Sequence, residues 1–136
     1  MANVSLGGEG LPFEASADLS SSQYHFIEQP TANASTGNIL TATVPNAATD
    51  VPWGINQGKP ESGQIDTCQT TGRSWLLVDA NSSNIAIGDM IGTSNTGHGV
   101  LKDTDGQIYR CRALQAATAD GVYIQVDLDE HGTIGP

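Results

Sequence analysis

The chain has little positive charge. Five Lys and Arg stand against fifteen Asp and Glu, a formal net charge of −10 over 136 residues. Affinity for nucleic acid rests largely on cations that neutralise phosphates. The composition therefore argues against nucleic acid, and against anionic membrane surfaces, as partners. Aromatic residues are scarce too, at 5%, within a modest apolar share of 38%. That supports a thin core of β-branched residues with a few large anchors: Trp53, Trp75, Tyr109 and Tyr123. Long apolar runs are missing, and nothing approaches the ~18 residues of a membrane span. The opening Met1-Ala-Asn-Val-Ser-Leu-Gly-Gly8 lacks the basic start and apolar stretch of a secretion signal. A cytosol-like compartment, or release by lysis rather than secretion, is expected, with thiols reduced. Only two cysteines are present, Cys68 and Cys111, both inside predicted strands. They are open to two readings, a bridge between neighbouring strands or two small buried hydrophobes.

Reactive constellations are also wanting. Gly54-Ile-Asn-Gln-Gly-Lys-Pro60 has the look of a phosphate-binding loop. It is one residue short between the glycines, and Pro60 stands where the Mg²⁺-binding hydroxyl belongs. Asp103-Thr-Asp-Gly106 resembles the start of a Ca²⁺ loop, but the later acidic ligands are absent. His25, His98 and His131 share no metal-ligand spacing with one another or with the cysteines. A triad of Ser74, His98 and Asp79 can be drawn, without the Gly-x-Ser-x-Gly turn that exposes a nucleophile. The expectation is a non-enzyme with no catalytic residues, no metal and no cofactor.

What the chain does contain is a series of short β-type runs broken by Gly, Asn and Asp. They are Gly63–Thr71, Arg73–Asp79, Met90–Ser94, Gly99–Lys102, Ile108–Leu114 and Gly121–Leu128. Sixteen glycines supply the turns such a chain needs. Earlier, Pro12–Ala17, Tyr24–Glu28 and Ile39–Val44 read as short strands, and Pro52 keeps Val51–Ile55 off a central ladder position. Asp18 offers an N-cap for one helical turn over 18–23. Ala113–Ala119 is the one other stretch with helical propensity. Gly-Asp within Asn84–Ile91 signals a tight turn. The fold class is all-β, a small barrel or sandwich of short antiparallel strands with at most one or two helical turns. Residues 1–9 read as a mobile N-terminal arm, 10–128 as a single β domain, and 129–136 as a flexible acidic tail. Arg110 and Arg112 lie two apart on one strand, so they share a side. They could form an intrachain ion pair or bridge two subunits.

Four segments in order resemble a known family: Ala17-Asp-Leu-Ser-Ser-Ser-Gln-Tyr24, Gly54–Pro60, Ile85-Ala-Ile-Gly-Asp89, and Arg112-Ala-Leu-Gln-Ala-Ala-Thr-Ala-Asp-Gly121 with the strand after it. The likeness, over roughly residues 10–128, is to phage capsid decoration (cement) proteins. These were first catalogued as a domain of unknown function and are sometimes labelled recombinase-like, a label the failed phosphate loop does not support. The polar stretch Thr31–Asn38 and the acidic tail depart from the pattern. The resemblance implies a virion structural protein on the capsid exterior, with the major capsid protein as partner and a homotrimer as the assembly. It also implies that the arm, with Ala2, Asn3, Val4, Ser5, Leu6 and Leu11, contacts the shell, adding as a strand to an exposed edge. Trp53, Trp75, Arg110, Arg112 and Tyr123 are the expected core or intersubunit anchors. The alternatives are a head–tail or tail-tube component, and a carbohydrate-binding β module stacking an exposed Trp or Tyr on sugar.

Overall fold

A computed structural model describes residues 10–29 and 40–135. It is all-β, and its twelve short strands fall into three sets. The first is a five-stranded sheet in the order β2 (Phe26–Ile27), β4 (Gly54–Asn56), β5 (Ile65–Gln69), β1 (Gly10–Ala15), β3 (Leu40–Ala42). Its pairings are antiparallel except β1 with β3. A bridge between Glu28 and Thr43, the residues just after β2 and β3, links the two edges of this sheet.

The second set is a closed barrel of β10 (Cys111–Ala113), β11 (Asp120–Asp127), β6 (Arg73–Asp79), β8 (Gly99–Leu101) and β7 (Met90–Thr93). Long antiparallel pairing of β6 with β11 forms its main wall, and Gly121, at φ +74°, sits at the one register shift there. Closure depends on a single parallel pair, Val78 with Gly99. The gap beside it is filled by the chain entering β2: the Leu77 N–H donates to the Tyr24 carbonyl, and Phe26 N–H to that of Gly97. The third set is a ribbon of β9 (Ile108–Tyr109) and β12 (Gly132–Thr133). A short strand thus lies within the segment read as an acidic tail.

Period-2 alternation builds two cores. Inward residues of the barrel, among them Leu76, Val78, Ile91, Ile124, Val126 and Leu128, make one. Phe13, Ala15, Leu19, Ile27, Ala42 and Cys68 make the other. Phe26 and Ile55, on strands of the first sheet, belong to the barrel core, whereas Ile27, next to Phe26, belongs to the second. β2 is therefore shared between the layers, with both faces buried.

Two local expectations are corrected. Ala113–Ala119 is not helical: Ala113 ends β10 and Ala117 pairs with Ile85 across an isolated bridge. Tertiary pairing overrides a weak helix propensity here. Residues 18–23 form turns rather than a helix, with Asp18 accepting from the Ser20 N–H. The disulfide reading of the cysteines also falls. Both are free and buried, Cys68 in the first core and Cys111 in the barrel core. Burial pushes the Cys68 thiol up to about 12 and raises that of Cys111 as well, so neither is a reactive thiolate.

Candidate interaction surface

Three of the five cations are spent inside the chain. Arg110, between β9 and β10, is buried. Its Nη1 donates to the Leu128 carbonyl at 2.9 Å and its Nη2 to those of Trp53 at 2.8 Å and Thr70 at 2.7 Å. It thereby ties the end of the barrel wall to two segments of the first sheet. Burial pulls its pKa down, yet a guanidinium keeps its charge in proteins. Lys102 is buried with its Nζ on the Ala48 carbonyl at 3.2 Å. Arg112 donates to the Gly88 carbonyl at 3.0 Å and forms an ion pair with Glu130 of its own chain. Lys59 and Arg73 are exposed, with no side-chain hydrogen bond or ion pair among the described residues.

Arg73 stands at one end of the outer face of β6 and β11. Along this face the cross-strand pairs are Arg73 with Asp127, Trp75 with Gln125, Leu77 with Tyr123, and Asp79 with Asp120. Tyr123 is 51% exposed while its neighbour Ile124 is buried. Its ring meets that of Tyr24 edge-to-face, centroids 5.8 Å apart. Tyr24 adopts a left-handed φ of +62°, unusual for a bulky residue. Hydrogen bonds from its N–H to Asn56 at 2.7 Å and to its carbonyl from Leu77 at 2.9 Å hold it there. Trp75, Tyr123 and Tyr24 are three of the five Trp and Tyr residues in the whole chain.

Two polar clusters join residues far apart in sequence. His98 Nδ1 meets Asp79 Oδ2 at 2.7 Å, and the His25 ring packs against that of His98 with centroids 4.6 Å apart. Burial lowers the His25 pKa. Ser74 does not complete a triad: its Oγ is buried, donating to the Trp75 carbonyl and accepting from Gln57 Nε2. Among the described residues no group of three or more His, Cys, Asp or Glu is arranged to hold a metal ion. The second cluster joins the carboxyl groups of Glu28 and Asp50 by a hydrogen bond. Burial first, then Asp50, pushes Glu28 up to about 7. Asp50 Oδ2 also accepts from the N–H groups of Asn46 and Ala47.

Of the residues singled out from sequence, Trp53 is half-buried against the first core and its carbonyl receives Arg110. Trp75 and Tyr123 come together on the outer wall, two residues apart in register. Arg110 and Arg112 both bond within their own chain. Leu11 sits in β1, paired with Cys68 and packed on the first core. Ala2, Asn3, Val4, Ser5 and Leu6 lie outside the described residues. Sequence reasoning missed the positive φ of Tyr24 and the two polar clusters, since their members lie 19 or more positions apart or, for Tyr24, carry no Gly or Asn signal. Pairing β6 with β11 by alternation would have placed Tyr24's partner, Tyr123, outward.

No family model matches the chain, and no curated protein matches it in sequence. Among solved structures the chain is similar in fold to the N base of the head fiber gp8.5 of bacteriophage phi29. The two share 14% identity at a TM-score of 0.63, over 89% of this chain and 93% of that one.

Proposed function

We propose that this protein is a structural component of a phage head, a decoration or cement protein that binds the outer surface of the shell and stabilises it. The observation that carries the reading is the fold shared, nearly end to end, with the base of a phage head fiber. The four motif segments that resemble decoration proteins support it independently. The composition agrees, because a protein added outside a filled head gains nothing from affinity for packaged DNA, and a net charge of −10 opposes it. In this reading the major capsid protein is the partner and copies of the chain touch one another on the shell. The segment before β1 supplies main-chain hydrogen bonds to an edge of the capsid protein. That contact must exceed an ordering cost of about 1–2 kcal/mol per residue.

The test is co-sedimentation of the purified protein with expanded heads that lack it. Binding to heads and not to isolated tails is expected, with heads surviving higher temperature when decorated. A chain lacking residues 2–9 should bind at least tenfold more weakly. Binding to tails alone overturns the head assignment, and unchanged binding of the truncated chain overturns the arm.

A further inference from the structure

We infer that the outer face of β6 and β11 is a contact surface for a second copy of this chain, with β6 of one copy set against β11 of the next. This does not depend on the phage-head reading. The face concentrates the residue types that dominate protein interfaces, Trp, Tyr and Arg, in a chain that has few of them. Between its two ends it carries Trp75, Leu77, Tyr123 and Gln125 and no charge, which matters for copies that each carry −10.

The charges at the ends select the partner and the orientation. Arg73 has no partner within the chain among the described residues, although Asp127 lies opposite it on β11. Its charge is open to a carboxylate from outside the chain, and a copy of this acidic chain offers one. A symmetry axis parallel to the strands sets β6 over the neighbour's β11. Arg73 then faces Asp127 of the next copy, Leu77 faces Tyr123, and Trp75 faces Gln125. At the far end Asp79 comes near Asp120, with the Asp79 carboxylate held by His98 Nδ1 at 2.7 Å and by the Gly121 N–H at 3.3 Å. An axis perpendicular to the strands would instead place Arg73 over Asp79, already bonded to His98, and Asp127 over Asp120. The first arrangement gives each Arg73 the carboxylate of Asp127, which accepts from the Asp129 N–H, rather than that of Asp79, already engaged by His98 and the Gly121 N–H.

Sedimentation equilibrium on the full chain tests this. A cyclic oligomer of two or three copies is expected at micromolar concentration. Arg73→Asp and Asp127→Arg should each weaken assembly at least tenfold, and the double charge swap should restore it. Trp75→Ala should also dissociate the oligomer while the thermal midpoint of the monomer moves little, since Trp75 lies outside both cores. A monomer at 100 µM overturns the inference. So does an oligomer indifferent to all three substitutions, or a monomer whose Trp75 and Tyr123 bind glycans in a fluorescence titration.

Discussion

Arg110 is a buried cation held by backbone carbonyl oxygens rather than by carboxylates. Its three carbonyl partners belong to segments far apart in sequence, Trp53, Thr70 and Leu128. Removing the fork leaves these acceptors buried and unpaired, each costing about 1–3 kcal/mol. Arg110→Met is therefore expected to destabilise the fold by on the order of 3–5 kcal/mol in urea denaturation. Arg110→Lys should recover only part of that, because one ammonium cannot span three acceptors. Glu28 acts through its proton. Its folded pKa of about 7 lies above the ordinary 4.5. The stabilisation it gives is therefore complete below pH 4.5 and is lost as pH rises through 7. His25, lowered by burial, has the opposite sense: what it contributes is present above its ordinary 6.5 and is lost on acidification. Glu28→Gln keeps a hydrogen bond to Asp50 without a titrating proton. Melting midpoints measured from pH 4.5 to 8 should fall in the parent, by the equivalent of about 1–3 kcal/mol, and flatten in the variant. A parallel decline in both proteins would remove Glu28 as the cause.

Among the elements, β8 shows how closely the barrel is drawn together. A Cβ at Gly99 would meet Leu76 Cδ2 at 2.6 Å, and Ile91 Cγ2 and Val78 Cγ1 at 2.9 Å. All three are core side chains with no free space to retreat into. Gly99→Ala is expected to cost about 1–3 kcal/mol by overpacking and to weaken the one parallel pair that closes the ring, read as a lower urea midpoint. Gly106→Ala, in an exposed turn with open space around the Cβ, should cost less despite its φ of +88°. The same elements show what was legible in the sequence. Apolar–polar alternation between turn residues marked all six runs from Gly63 onward, and each carries a strand. Arg73–Asp79 matches β6 residue for residue. The order of strands in space was not legible, because short strands of similar composition do not state their partners. Nor was the sharing of β2 between layers. Tyr24–Glu28 read as a short strand, whose alternation puts Phe26 and Ile27 on opposite faces, but the strand alone does not tell that each face meets a core. The interaction face was half legible: Trp75 and Tyr123 stood out as large aromatics, but only their register on neighbouring strands unites them.

Across the whole molecule the decisive feature is that the barrel does not own its core. The barrel interior borrows Phe26 and Ile55 from the first sheet. The gap beside its parallel pair is filled by the Tyr24–Phe26 segment, and Arg110 fastens Leu128 to Trp53 and Thr70. Separating the layers would expose two large side chains, each worth about 1.5–3 kcal/mol of burial, and unpair a buried cation. A barrel detached from the first sheet then lacks a complete interior, so the layers should unfold together. The two tryptophans make this measurable, since Trp53 packs on the first core and Trp75 stands on the barrel wall. With Trp75→Phe the fluorescence reports the first sheet, and with Trp53→Phe it reports the barrel. Urea transitions followed by fluorescence and by far-ultraviolet circular dichroism should coincide within each variant, as two-state unfolding requires. A fluorescence transition displaced from the circular dichroism curve would mean that the layers fold as separate units, and that the shared strand does not couple them.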